Sequence, residues 1–225
     1  MWLAIDTATD RASVALGLPG GTLAERTVSG ARRHAAELLP AILGALEGEG
    51  TPLDRIEAVL LADGPGSFTG LRVGASVAKA LVQTRGIGLW TAPSLMVCAA
   101  GLEEEGRLVL AVADALRGEL FAAAYRVWTG AVETVLPASV HPHERLRALV
   151  PNPDLITGPA AGELGGEPAY PSAKALLGLM GKSGGARRLA NPVSWSPEYG
   201  RPAEAQVKWE RIHGRPLTHS AGRAV

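Results

Sequence analysis

The sequence predicts an α/β chain built as a duplicated fold, two domains each with a mixed sheet flanked by helices. Three observations carry this. After an opening group of strands, apolar runs of strand length alternate with segments of helical period, the order that builds a mostly parallel sheet. The opening itself, "WLAIDTATDRASVALGLPGGTLAERTV", reads strand, turn, strand, turn, strand, an antiparallel meander attached to that sheet. The pattern then begins again near Arg107: "LAIDTATDRASVAL" and "LAVADALRGELFAAAY" both run strand, aspartate, turn, strand, which puts Asp6 and Asp114 in comparable places.

Each element has its own signal. "WLAI" is a short buried strand and Pro19-Gly20-Gly21 a strong turn. "RRHAAELLPAILGALEG" has helical period and meets Gly48 and Gly50 near its end; Pro40 inside it predicts a kink or a late start. "IEAVLLAD" is continuously apolar, a strand covered on both faces. "LRVGASVAKALVQTRG" is the second helix, ending at Gly86, followed by the strand "GLWTAPS" and a third helix, "SLMVCAAGLEEEG". The division falls between "EEEG" and Arg107, giving domains 1–104 and 105–225. Beyond Val150 only the strand "DLITG" and the helix "SAKALLGLMGKSG" stand out; "HPH" at 141–143 reads as an exposed turn, and a flexible tail is expected from about residue 214.

Composition narrows the function. With 22 basic and 22 acidic residues there is no global charge to hold nucleic acid, and 5 Trp, 3 Tyr and 2 Phe are poor material for stacking on bases. Cys98 is the single cysteine and sits in an apolar stretch, so it reads as a buried structural thiol, with neither a disulfide framework nor a cysteine metal site. No apolar run approaches a membrane span and no leader is evident, so a cytoplasmic protein without membrane contact is expected.

The segment "DGPGSFTGLRVG" at 63–74 invites a nucleotide. It fails both strict tests. No lysine follows Gly70 as a phosphate-cradling loop requires, and Gly64, Gly66 and Gly70 are spaced one residue too wide for the dinucleotide fingerprint. A helix N-terminus capped by Ser67 or Thr69 remains, able to hold an anion or only to turn the chain. Asp6 and Thr7, at the end of the first strand, fit either a hydrated magnesium ion or an ordinary turn. Asp6, Thr7, Gly64, Gly66, Ser67 and Asp114 therefore stand as candidate remnants of a nucleotide loop. His34 lacks a second histidine one turn on, where Leu38 stands, so no helical metal pair is formed and no metal is expected.

The two helices around this loop read differently. Gly70, Gly74 and Ala78 lie at i, i+4 and i+8, a stripe of small residues that admits a close neighbour. In the first helix Leu38, Leu39, Ile42, Leu43, Ala45 and Leu46 cover more than one face. The pair predicts either a partner surface or internal packing.

"AIDTATDRASVAL", "RRHAAELLPAI", "DGPGSFTGLRVG" and "DALRGELFAAAY" together resemble the bacterial TsaB family, also called YeaZ, across most of residues 1–125; "PEYGRPAEAQVK" is a weaker echo. Leu116 stands where the family has arginine, with Arg117 beside it, and Gly200 where leucine is usual. The resemblance implies an actin-like fold, of the sugar kinase and heat-shock chaperone ATPase superfamily. It implies a non-catalytic subunit, without cofactor, for threonylcarbamoyl transfer to adenosine 37 of tRNAs reading codons that start with A. Such a subunit binds and activates a metal-bearing paralogue, TsaD, is joined by the ATPase TsaE, meets tRNA only through the complex, and forms a homodimer when alone. By match, the interface is on residues 32–47 and 70–85, giving His34, Leu38, Leu39, Ile42, Gly70, Leu71, Arg72, Gly74, Ala75 and Ala78. Two other readings compete: a stand-alone actin-like ATPase or small-molecule kinase using Asp6, Thr7 and the 64–70 loop, and direct tRNA binding through Arg187, Arg188 and Arg201.

Overall fold

The computed structural model describes residues 1–18, 21–30, 33–201, 209 and 212–214. Most of the tail expected from about residue 214 lies outside them, as does most of the "PEYGRPAEAQVK" segment.

Strands β1 (Trp2–Asp6), β2 (Arg11–Leu18) and β3 (Gly21–Ser29) form the antiparallel meander, with Ile5 opposite Val14 and Val14 opposite Arg26. Helix α1 (His34–Gly48) returns the chain to β4 (Ala58–Ala62), which lies parallel to β1. Helix α2 (Phe68–Arg85) leads to β5 (Gly88–Ala92), parallel to β4, and α3 (Ser94–Ala100) closes the first half. The second half repeats the start: β6 (Leu108–Asp114), β7 (Glu119–Val127) and β8 (Val132–Pro142) form a meander. Then α4 (His143–Leu149) leads to β9 (Leu155–Thr157), parallel to β6. Each half thus runs strand, strand, strand, helix, strand, with the fourth strand parallel to the first. This is the duplicated actin-like arrangement of two mixed sheets flanked by helices. The last pieces, α5 (Ala173–Leu177) and β10 (Arg187–Arg188), fold back on the first half: β10 pairs antiparallel with β5 and completes the order β10-β5-β4-β1-β2-β3.

Strand alternation sorts the core into three layers. Leu3, Ile5, Val59 and Leu61 face α1 and α2. Ala4, Leu60 and Ala62 face the other way, onto α3, α5 and the inner face of the second sheet, where Ala111, Ala123 and Tyr125 wait. Leu110, Val112, Ala122 and Ala124 pack outward under α4. The alanines of the middle layer are what let α3 and α5 fit between two sheets.

Some elements depart from the sequence reading. α1 runs unbroken through Pro40, because the carbonyl that Pro40 leaves unpaired belongs to Ala36 and both residues face solvent. α3 stops at Ala100 and α5 has only five residues, since Gly101 and Gly178 end them. β8 and α4 carry no sequence signal: β8 is a mostly exposed edge strand whose register against β7 shifts around Pro137. "HPH" is not an exposed turn but a half-buried junction, where β8 ends at Pro142 and α4 starts at His143. Among the described residues no helix is long and apolar enough to cross a membrane.

Candidate functional site

The 63–74 segment links β4 to α2 and lies over the end of β1. Ser67 caps α2, its hydroxyl oxygen accepting from the Gly70 amide at 3.2 Å, and Gly86 ends the helix at φ +66°. The peptide between Gly64 and Pro65 is cis. The loop amides are used within the chain. Gly64 donates to Ser94 Oγ at 3.1 Å, Ser67 to the Ala8 carbonyl at 2.7 Å, and Leu71 to the Ser67 carbonyl at 2.8 Å. A phosphate cradle needs such donors free; here those of Gly64, Ser67, Gly70 and Leu71 are taken.

The glycines record how tightly the loop is pressed down. A Cβ at Gly66 would fall under 3.0 Å from the Ala8 backbone, and one at Gly64 under 3.0 Å from the Glu198 carbonyl. A Cβ at Gly70 would collide with the Thr7 carbonyl and one at Gly74 with the Thr7 side chain. The small-residue stripe is therefore spent inside the molecule, letting α2 close on the end of β1.

Beneath the loop, Asp6 and Thr7 are fully buried. Asp6 Oδ1 accepts from the Ala8 amide at 3.3 Å, while Oδ2 and Thr7 Oγ1 have no hydrogen-bond partner among the described residues. Burial raises the Asp6 carboxyl from its ordinary 3.8 to about 8, partly offset by the Ala8 and Thr7 amides. Asp63, at the end of the neighbouring β4, is also pushed upward by burial, and Arg187 at 3.3 Å pulls against the shift. Asp63 was not singled out in the sequence, although it follows an apolar strand just as Asp6 does. Asp114 is not drawn into this group. It stands exposed in the β6–β7 turn, where its carboxylate accepts from the Leu116 amide at 2.6 Å.

Among the described residues no three His, Cys, Asp or Glu side chains are grouped to hold a metal ion. Cys98 is buried in the middle layer, and burial pushes its thiol upward. Arg187 and Arg188 stand side by side and exposed in β10, and Arg187 reaches Asp63.

The outer layer, α1 and α2, divides the residues assigned to a partner surface. Leu38, Ile42, Leu71, Ala75 and Ala78 are buried under the helices with Gly70 and Gly74, so they hold the layer to the sheet. Full burial of a side chain such as Leu38 or Ile42 stabilises by about 1.5–3 kcal/mol. His34 is also buried, its ring Nε2 at 3.2 Å from the Asp10 carbonyl. Facing solvent are Leu39 and Leu43, 48% and 49% exposed and one turn apart on α1. Arg72 is exposed on α2, its guanidinium 4.1 Å from the centre of the Phe68 ring. Leu43 was noted as apolar in the sequence but not among the interface residues; knowing which face the sheet takes was needed to single it out.

Comparison with known proteins agrees with this architecture. The family model for TsaD, tRNA N6-adenosine threonylcarbamoyltransferase, matches residues 21–163. The chain is 36% identical to the Escherichia coli tRNA threonylcarbamoyladenosine biosynthesis protein TsaB over 155 residues, covering 65% of this chain and 66% of that one. It is 27% identical to the Bacillus subtilis protein of the same name over 224 residues, covering 92% and 96%. The solved structure of YeaZ from Pseudomonas aeruginosa superposes with a TM-score of 0.71 at 28% identity, over 80% of this chain and 90% of that one.

Proposed function

This chain belongs to the TsaD-type threonylcarbamoyltransferase family, in its TsaB (YeaZ) branch, and from that premise we propose that it is a non-catalytic subunit for threonylcarbamoyladenosine synthesis on tRNA. It binds and activates a TsaD-type catalytic subunit through the outer face of α1 and α2. A TsaE-type ATPase joins the pair, and tRNA is met only through the assembly. Without its partner the same face closes a homodimer.

The observation that carries the proposal is the leucine pair on α1. Leu39 and Leu43 stand nearly half exposed on a helix whose other large aliphatic residues, Leu38, Ile42 and Leu46, are already in the core. Two exposed leucines one turn apart on α1 suit the centre of an interface better than a free surface. The non-catalytic reading draws support from the strand ends, where Asp6 and Asp63 are buried and the loop amides are engaged. The division at 104/105 remains our proposal for the boundary of the two ancestral halves, with α5 and β10 folded back over the first.

The test is titration of a purified TsaD-type subunit with this protein and with its Leu39→Asp, Leu43→Asp double variant. Both positions are exposed, so the variant folds. The proposal expects a complex with the unaltered chain and at least a tenfold weaker one with the variant, and the same loss of homodimer in sedimentation. Equal affinity for both would remove α1 from the interface. A charge at Gly74 would be no test, since that position lies in the core.

A further inference from the structure

Residues 187–201 run from the edge of the first sheet, across α2 and the strand ends, to the second sheet. β10 pairs with β5, and Leu189 donates to the Leu89 carbonyl at 2.9 Å. The Lys79 ammonium, on α2, donates to the carbonyls of Val193 and Trp195 and lies 5.8 Å from the Trp195 ring centre. The Glu198 amide then donates to the Asp63 carbonyl at 2.8 Å. The Tyr199 ring packs on Phe68 with centroids 4.5 Å apart, and Arg72 covers both rings. Gly200, at φ +69°, passes so close to Phe121 that a Cβ there would overlap the ring edge. Arg201 ends the run in an ion pair with Glu119 on β7.

Four residues therefore span the mouth between the halves: Glu198 is held by the end of β4, Arg201 by β7. Gly64 on one side and Gly200 on the other have no room for a side chain. Under the adjoining 63–74 loop lie Asp6 Oδ2 and Thr7 Oγ1, which have no hydrogen-bond partner among the described residues.

We propose that residues 193–201 are a clasp, a segment that opens as a unit while both sheets stay folded, and whose closure holds the two halves together over the ends of β1 and β4. The clasp is fastened by polar and aromatic contacts at the surface and by few core side chains. Tyr199 and Arg201 are partly exposed, and Val193 is 65% exposed. Segments of this kind open at a small fraction of the global unfolding free energy. The clasp acts within one chain and does not depend on the proposed partner.

Cys98 reports on it. It is the single cysteine, on α3 in the middle layer between the sheets, and 3% exposed. Its labelling by an aromatic disulfide reagent requires an opening between the halves. The experiment measures labelling rates against urea for the unaltered chain and for the Tyr199→Ala, Arg201→Ala double variant, with Gly200→Ala as a second way to loosen the clasp. The expected result is labelling at least tenfold faster in the variants without urea. Below the unfolding transition the rate should respond only weakly to urea, because a local opening exposes little surface. An unchanged rate, or an acceleration whose urea dependence equals that of global unfolding, would overturn the proposal. Should the variants fail to fold, the unaltered chain decides alone. Weak urea dependence of its labelling supports an opening below global unfolding. A rate that follows global unfolding at every urea concentration overturns it.

Discussion

The ends of β1 and β6 occupy matching places in the two halves and have opposite characters. After β1, Asp6 and Thr7 are fully buried, a glycine-rich loop is pressed onto Thr7 and Ala8, and one carboxylate oxygen has no hydrogen-bond partner among the described residues. After β6, Asp114 is exposed, and Leu116, Arg117 and Gly118 follow in the left-handed region at φ +62°, +59° and +75°. The same strand–aspartate–turn–strand order thus gives a sealed end in one half and an open, strained turn in the other. Duplication preserved the topology; the packing above each strand end decides its chemistry.

The sharpest way to break this contrast is to add side chains where the two turns have glycine. Gly70→Val places bulk against the Thr7 carbonyl in a site with no slack, so little folded protein is expected, and a circular dichroism melt reads it directly. Gly118→Ala, with no atom within 4 Å, should cost only the left-handed penalty, about 1 kcal/mol. Equal losses at the two positions would mean that the first turn is not the tighter one.

Ionisation of Asp6 gives the next largest effect. Its folded-state pKa is raised from 3.8 to about 8, so between these values the folded chain keeps a proton that the unfolded chain releases. Stability is then fully present below about pH 4 as far as this group is concerned, and falls as pH rises toward 8, by up to about 1.4 kcal/mol per unit. Asp6→Asn removes the ionisation and should flatten that part of the profile, leaving the variant more stable than the parent at pH 8. Urea midpoints from pH 5 to 8 measure it; parallel profiles for the two chains would contradict a buried, protonated Asp6.

The smallest effect belongs to the open turn. Leu116 is 54% exposed and gains little from burial, so its left-handed backbone is mostly cost. Leu116→Asn, which tolerates that conformation, should stabilise by about 0.5 kcal/mol. A loss in the urea midpoint instead would show that the leucine side chain holds the turn.

How much of this was legible in the sequence follows from what each signal depends on. The buried strands β1, β4 and β6 and helices α1 and α2 were readable because apolar period is local. The repeat was readable too, since strand order survives where identity does not. β8 was not, because an exposed edge strand needs no apolar alternation, and β10 was not, because two arginines become a strand only when an edge is there to receive them. At the site, the spacing of Gly64, Gly66 and Gly70 showed that no standard phosphate motif is present. It could not show that Gly70 and Gly74 press on Thr7 and not on a partner, since a small-residue stripe reads the same against a strand end or a second protein. Likewise Leu38 and Leu39 are neighbours in sequence, and only the placement of α1 on its sheet sends one inward and the other out.

The strand end of the first half is sealed by the chain itself, and calorimetric titration of the isolated protein with magnesium and ATP tests that most directly. With the amides of Gly64, Ser67, Gly70 and Leu71 engaged and Asp6 buried, no saturable heat is expected up to millimolar nucleotide. Stoichiometric binding at micromolar nucleotide, abolished by Asp6→Asn, would contradict it and return the chain to the actin-like ATPases.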